Sequence, residues 1–147
     1  MLNKVAIDKM QTINDVFDAQ MESAEQVFNI ADIALKDAEF KRASAADLID
    51  EALKEWHDNL RGAIFDPMQT GGRLEIFLDA HRQHENASEQ LKSASEYREA
   101  KRLDVLEANY NVRRIKERLH FTKRILARKR EEIWLGTIEN MKIKKIY

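Results

Sequence analysis

Counting by heptads from Met21, the large residues Met21, Phe28, Leu35, Ile49 and Trp56 recur at seven-residue spacing, and Phe17, Ala24, Ala31, Ala38, Ala45 and Ala52 fill the intervening seam positions. A seam that is half alanine lets a partner helix approach closely, because the large side chains of one helix drop over the alanines of the other. Such a seam suits a tight antiparallel hairpin and predicts a rod, which excludes most enzyme scaffolds before any motif is considered.

The chain has 147 residues, 35% of them charged and 44% hydrophobic, with few aromatics. That balance fits one extended domain better than a thick globular core. Cysteine is absent, so no disulfide framework and no thiolate metal site can be built, in keeping with a reducing compartment. Residues 1–15 interleave Lys4, Asp8 and Lys9 with apolar residues and read as no secretory signal, and no stretch has the length and apolarity of a membrane span.

The net charge of −1 hides an asymmetry. Residues 1–60 carry 13 acidic and 6 basic side chains, whereas residues 113–147 carry 4 acidic and 12 basic ones. If the chain folds back on itself, the acidic first helix lies beside the basic end of the second, which favours the antiparallel register.

Three of the four glycines and the only proline fall between Gly62 and Gly72, which places the turn there. The predicted fold is all-α, a long antiparallel two-helix coiled-coil hairpin in one elongated domain. Helix 1 spans about 4–61, the link 62–72, helix 2 about 73–135, and a tail 136–147 follows Gly136. At ~1.5 Å per residue the first helix would be about 87 Å long. The second seam runs from Phe77 through Ala80, His84, Ala87, Leu91 and Ala94 to Leu126, Lys129 and Ile133 in alternating steps of three and four. Folding about a centre near residue 67 sets Trp56 near Phe77 and Phe17 near Ile115 to Leu119. Gln20, Arg42, Arg98 and Lys101 read as polar interruptions of the seam, their long stems lying along it while the heads reach water. Residues beyond about 131 have no hairpin partner.

Little in the chain supports chemistry. His81 and His84 share a helix face with Glu85 but find no third ligand set, and HExxH is absent. Glu117 and His120 form a single ExxH, where di-iron bundles need two such motifs and two further glutamates. Gln69-Thr70-Gly71-Gly72-Arg73 lacks the GxxxxGK[ST] phosphate-loop pattern and any preceding strand. No nucleophile has a base and an orienting group around it. The reading is a non-enzyme with no catalytic, cofactor or metal site. Basic residues from Arg113 to Arg130 offer a charged face, but aromatics are not interleaved as stacking platforms, so a protein surface fits better than nucleic acid. At the tip, Ile64, Phe65, Met68 and Phe77 form either a small cap with Leu60 and Leu74 or a contact patch.

The long first helix, the link GAIFDPMQTGG with the following RLEIFLDAHRQHENASEQL, and the basic stretch RRIKERLHFTKRILARKREEIW together resemble the FliJ and YscO type stalk proteins of flagellar and type III secretion export. The likeness covers nearly the whole chain and rests on length, heptads and charge arrangement. It implies a cytoplasmic, non-hydrolysing stalk, either free or held at the inner membrane by an export apparatus. Its partners would be a hexameric export ATPase, an export gate subunit and secretion chaperones, without direct membrane insertion. On that likeness Arg124, Arg128, Lys129 and Arg130 face acidic groups lining the ATPase ring, while the tip approaches the gate or carries chaperones. The rival reading is a structural or scaffolding coiled coil of a phage or cell-envelope assembly, which an alanine seam supports equally well. A secretion chaperone would need an exposed apolar groove, for which a regular seam leaves little surface.

Overall fold

The computed structural model describes residues 4–61 and 67–146, with side chains described through residue 143. Two helices account for all of these residues: α1, Lys4–Arg61, and α2, Pro67–Ile146. They pack against each other as an all-α hairpin. Internal contacts divide it into two compact units, one made of Met1–Glu25 with Asp104–Tyr147, the other of Gln26–Leu103.

In the unit of residues 26–103 the alanine seam is the core. Ala31, Ala38, Ala45 and Ala52 of α1 and Ala80 and Ala87 of α2 are buried, Ala31 to 1% exposure. Phe28, Leu35, Ile49 and Trp56 are half-buried, as are Phe77 and Leu91. The difference is geometric. An alanine methyl lies on the line of closest approach, whereas a large side chain crosses that line and leaves its far edge in water. Each buried methyl-sized group contributes on the order of 0.8 kcal/mol, so stability accumulates over many small contacts. The antiparallel register is visible in the Trp56 and Phe77 rings, stacked with centroids 6.4 Å apart. It is visible again where Arg73 Nη1 donates to the Glu55 carbonyl at 2.8 Å and Arg98 Nε to Asp32 Oδ1 at 2.7 Å.

In the other unit the buried residues are larger. Val112, Ile115 and Leu119 of α2 are covered, with Phe17, Met21 and Ala24 of α1 half-buried. Phe17 and Ile115 line one groove together with Asn111, Arg114 and Arg118, the register expected from the sequence. Two polar side chains are also buried here, Asn14 at 7% and Thr122 at 4% exposure.

Several boundaries differ from the sequence reading. Helix α2 begins at Pro67 rather than about residue 73, so Gln69 to Gly72 are helical instead of part of the link. The Asp66-Pro67 pair explains this. Proline suits the first helical position because its ring presets φ and its missing N–H would have had no partner there. Neither Gly71 nor Gly72 has positive φ, and two glycines cost a helix roughly 1 kcal/mol each without stopping it. Gly136 does not end α2 either; the helix runs to Ile146, and the Thr137 hydroxyl donates to the Ile133 carbonyl at 2.9 Å across the glycine. Gln20 is exposed and off the seam, because stepping back seven residues from Met21 lands on Asn14; Arg42 stands in the seam row between Leu35 and Ile49, and is exposed. Arg98 and Lys101 are half-buried, as expected.

Candidate partner-binding surface

Helix propensity is high through the Arg113–Arg130 stretch, which has no glycine or proline, so the backbone presents nine Lys and Arg side chains against one carboxylate, Glu117. Val112, Ile115, Leu119 and Thr122 take the buried face, which forces the cations outward. Among the described residues only Lys116 crosses to an α1 carboxylate, Asp18, at 3.5 Å. The acidic first helix therefore does not neutralise this stretch pair by pair. Arg124, Arg128, Lys129 and Arg130 are all exposed, and none forms an ion pair with a described residue.

Carrying the Asp18–Lys116 register toward the start of α1 places Lys4 opposite residue ~130 at antiparallel pairing. From Glu131 onward α2 continues past the described start of α1. Ile133, Trp134 and Leu135 are exposed there, although Ile133 stands in the seam row.

Of the four tip residues, Met68 and Phe77 are described. Met68 is 87% exposed, while Phe77 is half-buried between the rings of Trp56 and His81. Leu60 and Leu74 are exposed; Ile64 and Phe65, the other members of the expected cap or patch, lie outside the described residues. Asn59 Nδ2 donates to Thr70 Oγ1 at 3.0 Å, tying the two helices beside the link. Trp56 Nε1 is buried without an acceptor among the described residues.

Sequence reasoning missed two features. Arg98 was legible as a polar seam residue, but its partners were not. Its guanidinium lies 5.2 Å from the centre of the Phe28 ring and donates to Asp32, which also binds Lys36 at 3.2 Å. The hydrogen bond from Arg98, followed by that from Lys36, holds the Asp32 carboxyl below the usual aspartate range. A similar local pair, Arg102 with Glu99, lowers the Glu99 carboxyl and raises the Arg102 guanidinium. The second missed feature is Asn14, whose Nδ2 reaches Asp18 at 3.4 Å while Oδ1 is buried with no donor. Seven-residue counting alone would have found it.

His81 pairs with Glu85 at 3.1 Å, and among the described residues no three His, Cys, Asp or Glu side chains are grouped to hold a metal ion. One groove, about 610 Å³, is an open trough over Leu35, Glu39, Arg42, Ser88, Leu91, Lys92, Ser95 and Glu96. Among the described residues no helix is long and apolar enough to cross a membrane. No family model, no curated protein and no solved structure matches the chain.

Proposed function

We propose that this chain is a non-enzymatic stalk or adaptor of a type III protein export ATPase complex, flagellar or virulence-associated, acting through protein contacts alone. The observation that carries the proposal is the cationic stretch Arg113–Arg130, left with a single cross-helix ion pair among the described residues, in a helix that runs on to Ile146. Unmatched surface charge on a coiled coil is best accounted for by a partner of opposite sign, which it would steer and orient. On this reading Arg124, Arg128, Lys129 and Arg130 meet acidic groups of the hexameric ATPase. The tip, where Met68 is exposed, is the place for an export gate subunit or chaperones.

The test is binding of the purified export ATPase to the wild-type chain and to the Arg128→Glu, Lys129→Glu, Arg130→Glu variant. The expected result is binding abolished with helicity intact by circular dichroism. Equal binding by both proteins would sink the proposal.

One observation favours a second reading, a scaffolding coiled coil. Ile30, Ile33 and Phe40 are all exposed on the side of α1 away from the seam, spaced three and seven apart on one row. Side-by-side association of hairpins would cover that row, and it would show as mass that grows with protein concentration.

A further inference from the structure

Assign positions a and d to the rows of Phe77 and Ala80. The α2 seam then continues past Leu126 as Lys129, Ile133, Gly136, Asn140 and Ile143, with Ile133 and Ile143 as its apolar members, both exposed. Apolar residues also stand on the opposite side. Trp134, Ile138 and Met141 occupy b, f and b, spaced four and three residues apart, so they line one outer face of the helix. Trp134 is 63% exposed and Met141 61%, with Ile138 half-buried between them. This face cannot serve the hairpin's own seam, because it points away from the α1 side.

We propose that Trp134, Ile138 and Met141 are the apolar anchor of the basic end, docking into an apolar groove rimmed by carboxylates on a partner protein. The inference rests on the reading that this end binds a protein, and it names the contact. Charge selects the occupant. Arg124 lies on the row of Ile138, and Arg128 and Lys142 lie on the adjoining outer row at c; with Glu131 the one carboxylate among them, the outer face is mainly cationic and acidic groove edges complement it. Like charge disfavours the same segment of a second copy as occupant. An anionic lipid surface fits less well, since Glu131 stands on the row of Ile138 seven residues away and would be pressed against the headgroups; a protein groove can meet it with a donor. A tryptophan and arginines around a small apolar centre are also the side chains that dominate protein interfaces.

The experiment uses the full chain labelled with 5-fluorotryptophan, whose two fluorine resonances report Trp56 and Trp134 separately, with Trp56→Phe used for assignment. The first probe is a synthetic amphipathic helix bearing leucine and glutamate in heptads. The expected result is a saturable shift of the Trp134 resonance alone. Affinity should fall roughly thirtyfold or more in the Ile138→Asp, Met141→Asp double variant, the loss of one interface hot spot, with helicity unchanged. A Trp134 resonance unmoved by the peptide overturns the inference. So does one moved instead by phosphatidylcholine vesicles containing phosphatidylglycerol, or by raising the concentration of the chain itself. The purified export ATPase is the second probe. Binding that survives Ile138→Asp, Met141→Asp but not charge reversal at Arg128 to Arg130 overturns the anchor and leaves the stalk reading. No ATPase binding, with the peptide response intact, does the reverse.

Discussion

Asn14 is the residue whose environment disagrees most with its chemistry. Its Oδ1 is buried without a donor at a seam position that Phe28 and Leu35 fill elsewhere with apolar carbon. A buried acceptor left unsatisfied costs about 1–3 kcal/mol, and a polar seam residue typically trades stability for register and orientation. Asn14→Leu is therefore expected to raise the thermal midpoint by an amount worth about 1–3 kcal/mol, followed by circular dichroism; a lowered midpoint would show that Asn14 is satisfied in solution. Asp32 makes the opposite case, a carboxylate well served by Arg98 and Lys36. Its pKa is depressed in the folded state, so its contribution is present above the ordinary aspartate range and is lost as pH falls through the lower, folded value. Asp32→Asn should lower the melting temperature at neutral pH, and the gap from wild type should close in acid. A gap independent of pH would mean that the ion pair is not its source.

Each helix as an element is governed by where it is allowed to begin and end. Helix α2 starts at Pro67 and passes through Gly71, Gly72 and Gly136, at each of which an added Cβ would meet no atom within 4 Å. With helical backbone and open space, alanine at these sites reduces unfolded-chain entropy and meets no steric cost. Gly71→Ala with Gly72→Ala should stabilise by about 1–2 kcal/mol in total, roughly 2–4 °C per kcal/mol in a chain of this size, measured by calorimetry. A drop would mean that the glycines serve the approach of a partner. The same reasoning shows how local signals were misweighed in the sequence. The Gly71-Gly72 pair reads as a turn, while the stronger local signal is Asp66-Pro67, a helix start.

For the whole molecule, acidic residues are segregated in α1 and basic residues late in α2, a pattern that favours the antiparallel arrangement, and Asp18–Lys116 and Asp32–Arg98 are cross-helix ion pairs among the described residues. Exposed pairs are worth little individually, so the segregation matters more for what the surface attracts. The stalk reading predicts a 17.2 kDa species by sedimentation equilibrium at every concentration, whereas growth in mass that Phe40→Lys reverses would favour lateral assembly. Two helices, their seam residues and the meeting of Trp56 with Phe77 follow from the sequence alone, because a period of seven with alternating large and small residues admits few other packings. The candidate site is legible only in part: Arg124, Arg128, Lys129 and Arg130 stand exposed as a charge run implies, while the spaced Ile138 and Met141 of the tail join Trp134 in one outer row only because the helix continues through Gly136. Which charges find partners and that Asn14 is buried unsatisfied were decided only by tertiary structure. Those outcomes depend on which side chains the second helix brings within reach, a distance in space that no local pattern encodes.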